Sequence, residues 1–289
     1  MSSNQNQLNN SNVHVTFVGG GNMGRALISG LLANGFKAKQ ISVVELNAAT
    51  ATKLTQDFGV QCINAIGKVC FDTSKNNVVV MAIKPQDFNA VAKHLASKLK
   101  NTSVTGPLVL SIAAGIRTQD MSRWLDHNRC VRAMPNTPAL IGKGITGLFA
   151  NTAVSESDRN LAQTICNTVG QSIWVADEKL IDAVTALSGS GPAYVFAFLE
   201  AMQSAGEKLG LDQTSARKLA YATLEGASQL ANHSEEQASV LRERVTSKGG
   251  TTAAALEVLQ REGWGQILEK AIDAANQRGK AMGDEFGKG

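Results

Sequence analysis

The densest chemical signal in the chain is Gly19-Gly20-Gly21-Asn22-Met23-Gly24, which directly follows the apolar run Val13–Val18. Its glycines read Gly19-x-Gly21-x-x-Gly24. Behind a strand, that spacing permits a tight turn, close approach of a pyrophosphate and close packing of the helix that follows. The first N–H groups of such a helix lack partners within it and point at the phosphates. A glycine cluster alone often marks only a turn, but between a strand and a helix this one reads as a dinucleotide loop. Glu45 ends the next apolar run roughly 20 residues on, where an acid takes the ribose hydroxyls. A carboxylate at that tip repels a 2′-phosphate, which favours NAD over NADP. Ala82-Ile83-Lys84-Pro85 and Ser111-Ile112-Ala113-Ala114-Gly115 close two later runs. Small residues at the carboxyl ends of strands leave room for a ring, although ordinary turn punctuation accounts for these two stretches equally well.

Loops of that kind need a sheet to carry them. The runs Val13–Val18, Ile41–Val44, Val78–Ile83, Leu108–Ile112 and Gly147–Ala150 read as strands, with helices over Met23–Asn34 and Ala48–Phe58 between them. Continuous Val/Ile runs separated by helical segments indicate a mainly parallel sheet covered on both faces, a Rossmann-like α/β domain. Past about residue 175 the period becomes helical, and no proline follows Pro192. Pro192 suits a first helical turn. The helix it opens, over Pro192–Met202, is apolar on almost every side and requires other helices or a partner subunit to enclose it. Ala216, Leu219, Ala220, Thr223, Leu224, Ala227 and Ala231 recur at helical spacing behind the caps Asp212 and Ser215. Ser234 with Gln237 reads as a capping box, and helices are expected near Thr252–Arg261 and Gln266–Met282. The expected organisation is a frayed polar tail over 1–12, a dinucleotide domain over 13–175 and an all-α domain over 176–289.

Composition narrows the function. The chain has 28 Lys+Arg against 24 Asp+Glu, a net charge of only +4 with no run that concentrates it, and 5% aromatic residues. Neither nucleic acid nor an anionic membrane is an expected partner. Cys62, Cys70, Cys130 and Cys166 show no CxxC spacing, and His14, His94, His127 and His233 are equally scattered. Free thiols in a reducing compartment and no metal site are the expectation. The N-terminus lacks the basic and apolar regions of a secretory signal, and the best apolar run, Val78–Ile83, is far short of the ~20 residues that span a bilayer. A cytoplasmic location follows.

Taken together, Gly19-Gly-Gly-Asn-Met, Ala82-Ile-Lys-Pro, Ser111-Ile-Ala-Ala-Gly, Arg132-Ala-Met-Pro-Asn-Thr-Pro138, Leu187-Ser-Gly-Ser-Gly-Pro-Ala-Tyr194 and Val245-Thr-Ser-Lys-Gly-Gly-Thr-Thr252 occur in order. That set resembles the pyrroline-5-carboxylate reductases, over everything beyond the polar tail. The resemblance implies a Rossmann-like domain followed by an interleaving all-α dimerisation domain, a homodimer and often a decamer of five dimers. It implies reduction of 1-pyrroline-5-carboxylate to L-proline by hydride from NADPH or NADH, the last step of proline biosynthesis. The cofactor residues it implies are Gly21, Asn22 and Met23 at the phosphates, Ala82 to Pro85 with Ile83 and Lys84, and Ala113 and Ala114 near the nicotinamide ribose. Pro135 and Asn136 would lie beside the nicotinamide.

For the small-molecule substrate the family's loop corresponds to Ser247-Lys248-Gly249-Gly250-Thr251-Thr252. Successive N–H groups of Gly249, Gly250 and Thr251 at a helix start make an anion nest suited to a carboxylate. The Thr252 hydroxyl is then placed to hydrogen-bond the ring nitrogen, and Glu235 aligns with a family carboxylate. The plainer alternative is that Gly-Gly-Thr-Thr only caps a helix. Lys248 departs from the family, whose loop carries proline there. A protonated imine is already electrophilic, so positioning and exclusion of water are the main expected contributions. Two other readings share the glycine loop. A β-hydroxyacid dehydrogenase needs a lysine in the helix after Ser188-Gly-Ser-Gly191, and Pro192–Phe198 has none. A non-catalytic dinucleotide sensor has no use for an anion nest in a helical domain.

Overall fold

The structure is a computed structural model that describes residues 12–100 and 106–288. The tail expected over 1–12 lies, apart from Asn12, outside the described residues. One eight-stranded sheet organises the first part of the chain. Its strands are β1 (Val13–Val18), β2 (Ile41–Val44), β3 (Gln61–Ile63), β4 (Asn76–Met81), β5 (Leu108–Ser111), β6 (Cys130–Met134), β7 (Gly144–Ala150) and β8 (Gly170–Trp174). They lie in the order β3-β2-β1-β4-β5-β6-β7-β8, all parallel except the β6–β7 pair. The Rossmann-like reading is correct.

Apolar strands explain why this sheet is buried on both faces. Along β4, Val78 and Val80 join a cluster with Val15, Phe17, Leu27, Ile28 and Leu31, whereas Val79 and Met81 join one with Phe88, Leu95 and Trp124. Successive side chains of a strand point to opposite faces, so an unbroken Val/Ile run supplies both cores at once. Helices α1 (Asn22–Ala33), α2 (Ala48–Phe58), α3 (Pro85–Leu99), α4 (Thr118–Leu125) and α5 (Glu156–Asn167) cover the sheet. Strands β4 and β5 stop at Met81 and Ser111, one or two residues before the apolar runs do. Three strands escaped the sequence pattern. β3 is three residues long, β8 has adjacent polar residues, Gln171 and Ser172, behind Gly170, and β6 carries Arg132 in its middle.

The chain divides into two compact units, Met1–Gly189 with Ala275–Gly289, and Ser190–Ala274. The sheet unit thus runs past the boundary expected near residue 175. Ion pairs and apolar packing both hold this segment to the sheet: Arg132, 3% exposed, pairs with Asp182 (3.0 Å) and Glu178 (3.4 Å), while Ile181 of the short α6 (Leu180–Val184) is fully buried and Val184 packs on Gly147 of β7.

Within the second unit, α7 (Gly191–Lys208) packs on α8 (Gln213–Asn232), and a Cβ on Gly206 would lie 3.2 Å from that of Ala216. Asp212 caps α8 by accepting from Ser215 N–H (3.0 Å). The expected Ser234–Gln237 capping box is absent. Instead, Ser234 Oγ accepts from Glu236 N–H (3.1 Å), and α9 (Ala238–Arg244) starts without a side-chain cap. The remaining helices are α10 (Thr251–Arg261) and α11 (Trp264–Phe286). Leu199 is the one buried residue of α7, and Val195, Phe196 and Phe198 are exposed, as an unpartnered apolar helix must be.

The last turns of α11 belong to the sheet unit. Arg117 Nη2 donates to Asp284 Oδ1 (2.7 Å), and Arg123 Nη2 to Gly287 O (2.6 Å). Gly283 faces this contact: a Cβ there would come within 2.8 Å of the Arg117 guanidinium.

Candidate active site

The glycine loop is built from the sheet outward. Gly19 has φ +99°, and a Cβ on it would stand 2.5 Å from Ala82 O, so both backbone and space demand glycine. A Cβ on Gly24 would stand 2.9 Å from Gly19 O, the close helix-to-strand packing the motif implies. Gly20, which the motif leaves free, is constrained less: its φ is not positive, and a Cβ there would press on Leu54 Cδ1, the end of a side chain that can shift. Gly21 is different. It is the N-cap of α1 in an extended conformation, and nothing lies within 4 Å of where its Cβ would be. No side chain caps α1, and its first turn carries no acid. The N–H groups of that turn are thus left without a side-chain partner, beside a glycine whose Cβ position is open, the arrangement that receives a phosphate. The residues present fit the phosphates of a dinucleotide.

Glu45 is drawn into the same loop. Its Oε2 accepts from Gly20 N–H (3.0 Å) and its Oε1 from Asn47 N–H (2.8 Å). These two bonds fix the carboxylate, with its charge, at the end of β2 beside the glycine loop.

Three further strand ends lie along this edge. Ala82 N–H donates to Val18 O (2.8 Å), and Ile83 and Lys84 lead to Pro85, the first residue of α3. After β5, the buried Ser111 Oγ accepts from Ala113 N–H (3.2 Å), which sets the turn that carries Ala113 and Ala114. That turn closes at Gly115 (φ +76°), where a Cβ would meet the Phe286 ring at 3.0 Å. After β6, Pro135 leads to Asn136, whose Oδ1 accepts from Ile145 N–H (2.9 Å), leaving the amide Nδ2 as the free donor. Gly19, Gly21, Asn22, Met23, Gly24, Glu45, Ala82–Pro85, Ala113–Ala114 and Pro135–Asn136 all follow the carboxyl ends of β1, β2, β4, β5 and β6.

In the helical unit, Ser247–Gly250 forms a turn closed by Gly250 N–H donating to Ser247 O (3.0 Å), with φ +71° at Gly249. Positive φ at the third position of a turn favours glycine. This corrects the expected nest: Gly250 N–H is spent on the turn and is not a ligand donor. The orphan donors lie two residues further on than the expected set, at Thr251, Thr252 and Ala253, the first three residues of α10, which has no side-chain cap and no acid in its first turn. Ala253 was missed because a Gly-Gly-Thr-Thr string does not reveal where a helix begins. Ser247 and Lys248 are exposed, and Lys248 is the second residue of the turn, a position proline also suits. The lysine thus keeps the turn while adding a charge. Glu235 is exposed in the loop before α9, whereas its neighbour Glu236 is tied to Arg244 (2.6 Å).

Cys130 and Cys166 are buried, and burial pushes both thiols up to about 12. Among the described residues no three His, Cys, Asp or Glu side chains gather where they could hold a metal.

Comparison with known proteins places this geometry. A family model for pyrroline-5-carboxylate reductase dimerisation matches residues 178–282, and one for NADP oxidoreductase, coenzyme F420-dependent, matches residues 14–115. The pyrroline-5-carboxylate reductase of Pseudomonas aeruginosa is 41% identical over 279 residues, 96% of this chain and 100% of that protein. The chain belongs to the pyrroline-5-carboxylate reductase family. The reductase of the same name from Pisum sativum is 34% identical over 92% of this chain and 94% of its own. Among solved structures, a pyrroline-5-carboxylate reductase from Coxiella burnetii matches with a TM-score of 0.87 at 39% identity, covering 94% of this chain and 98% of that one. A Plasmodium falciparum pyrroline carboxylate reductase with NADP bound matches at 0.79 and 27%, covering 94% and 98%. The dimerisation match covers α7 and its exposed apolar residues, and it makes the chain a homo-oligomer of this family.

Proposed function

We propose that this chain reduces 1-pyrroline-5-carboxylate to L-proline with NADPH or NADH, the closing step of proline biosynthesis. The observation that carries the reading is the pair of uncapped helix N-termini, α1 behind a glycine loop and α10 behind the Ser247–Gly250 turn, in a chain similar to named reductases along nearly its whole length. One suits a pyrophosphate and the other a carboxylate.

The reduced nicotinamide supplies a hydride to the C=N carbon. Gly19, Gly21, Asn22, Met23 and Gly24 hold the phosphates, and Glu45 holds the loop to the ribose end. Ala82–Pro85, Ala113, Ala114, Pro135 and Asn136 seat the nicotinamide half. Thr251, Thr252 and Ala253 N–H bind the substrate carboxylate, assisted by Gly249 and Ser247. The Thr252 hydroxyl accepts from the protonated ring nitrogen, which enters as an iminium N–H and leaves as an amine, so the enzyme need not donate a proton during hydride transfer. Lys248 attracts the anionic substrate and Glu235 borders the loop. Most of the acceleration comes from alignment and exclusion of water.

We read the oligomer as a homodimer joined through α7, with assembly into a decamer of five dimers as the family's further option, acting in the cytoplasm. The exposed Phe196 supports the interface, and the four free cysteines suit a reducing compartment. No described helix is long and apolar enough to cross a membrane. Loss of nicotinamide absorbance on adding pyrroline-5-carboxylate, followed with each nicotinamide in turn, tests the reading. Folded, cofactor-bound protein that gives no turnover would leave a dinucleotide sensor as the better description. A Thr252→Ala enzyme with full catalytic efficiency would remove the nitrogen contact.

A further inference from the structure

The turn that carries Ala113 and Ala114 is pinned at its front by Ser111 Oγ, and its back end is pinned from far away in the sequence. Four residues past Ala114, Thr118 opens α4, and both of its donors go to one carboxylate. Thr118 N–H donates to Glu178 Oε1 (2.7 Å) and Thr118 Oγ1 to Glu178 Oε2 (2.7 Å). Glu178 thus caps α4 from outside, a favourable place for a negative charge at a helix start. Its Oε1 is in turn held by Arg132 Nη1 (3.4 Å), and Arg132 Nη2 is fixed by the buried Asp182 (3.0 Å). Arg132 pairs in register with Ser111 across the β5–β6 ladder and stands three residues before Pro135. One buried guanidinium therefore ties together the two strand-end loops, 111–118 and 134–136, to which the proposed function assigns the nicotinamide.

We propose that Glu178, held by Arg132, is a positioning residue for the nicotinamide half of the cofactor. It touches neither cofactor nor substrate. It acts by fixing the α4 end of the Ala113–Ala114 turn, so that the pocket for the ring is formed before the dinucleotide arrives. The phosphate end at Gly19–Gly24 shares no residue with this network. The inference rests on the dinucleotide part of the proposed function and is independent of which imine is reduced.

Binding separates the positioning role from a general structural one. The probes are NADPH and 2′-phospho-ADP-ribose, which keeps the phosphates and adenosine but lacks the nicotinamide. Glu178→Gln and Thr118→Val, both confirmed folded by circular dichroism, are expected to weaken NADPH roughly 5- to 10-fold while moving the nicotinamide-free ligand less than twofold. Thr118→Ser restores the hydroxyl and should recover wild-type NADPH affinity. A parallel fall in kcat is expected. Equal weakening of both ligands, or wild-type affinity for both, overturns the proposal. Should Glu178→Gln fail to fold, the Thr118→Val and Thr118→Ser pair decides alone, because it alters one hydrogen bond at the helix rim. A wild-type protein that binds NADPH but leaves pyrroline-5-carboxylate unreduced refutes the substrate assignment and leaves this test intact.

Discussion

Gly21→Ala and Gly19→Ala each add one methyl, and they separate what the ligand needs from what the fold needs. At Gly21 the backbone is extended (φ −68°, ψ −175°) and a Cβ would meet nothing within 4 Å. Alanine is a poorer N-cap than glycine by up to about 1 kcal/mol. The narrower unfolded ensemble returns about 0.4–1 kcal/mol. The two nearly cancel, so the cofactor-free Gly21→Ala protein should melt within about 3 °C of wild type. The added methyl nevertheless stands where the pyrophosphate is proposed to lie. Displacing the phosphate from one N–H costs about 1.5–3 kcal/mol, and each 1.4 kcal/mol is about tenfold in affinity, so NADPH binding should fall roughly 10- to 100-fold. Gly19→Ala inverts the pattern. Its φ of +99° and a Cβ 2.5 Å from Ala82 O make the substitution strained in the fold itself. Backbone strain contributes about 1–3 kcal/mol and the overlap about as much again, enough to lower the melting temperature clearly without any ligand. The assays are thermal melts of the cofactor-free proteins and NADPH titrations followed by fluorescence. Wild-type NADPH affinity in Gly21→Ala would show that no phosphate crosses this glycine, and the dinucleotide loop would have to be abandoned.

Three further outcomes are expected. With a disulfide reagent at pH 8, Cys70 should react at once and the half-buried Cys62 more slowly, whereas Cys130 and Cys166, pushed up to about 12, should wait for denaturant; fast modification of all four thiols in the native protein contradicts the burial. Asp158 accepts from Arg129 (2.6 and 3.2 Å) and Ser155 Oγ (2.8 Å), and although burial works to raise its pKa, these bonds outweigh it and hold it below the usual carboxylate range. A depressed folded-state pKa gives stability that is present above the unfolded value and lost as pH falls through the folded one. Asp158→Asn should therefore cost about 3 kcal/mol at pH 7 and lose part of the acid-side decline, as urea midpoints at pH 7 and pH 3 will show; an unchanged midpoint at pH 7 refutes this. Phe196→Asp places a charge on the exposed apolar face of α7, where Phe196 is 61% accessible in the single chain, and should shift sedimentation toward monomer, with an unaltered oligomer ruling α7 out of the interface.

Much of the site was legible in sequence because its requirements are local. The Gly19–Gly24 spacing states which backbone positions must turn tightly, approach a strand or leave a side open, and the structure gives Gly19, Gly24 and Gly21 those three tasks. The runs that became β1, β2, β4 and β5 were visible because a strand buried on both faces needs consecutive apolar residues. The all-round apolar helix after Pro192 likewise announced a surface that a single chain leaves exposed. Where meaning depended on a distant partner, the string of residues was silent. Arg132 made β6 look polar, and only the fold brings Glu178 and Asp182, 46 and 50 residues later, to neutralise it. Nothing adjacent to Thr118 shows that its helix is capped from Glu178, because a cap supplied through space leaves no local spacing. The Ser247–Gly250 turn takes the Gly250 N–H from the expected nest, and the task passes to the N–H groups of Thr252 and Ala253, since that depends on where α10 starts. Sequence therefore determined the backbone freedoms and the buried faces, which are properties of neighbouring residues. Tertiary structure decided which charges are paired and which N–H groups remain free, because those are settled by groups that chain folding brings together.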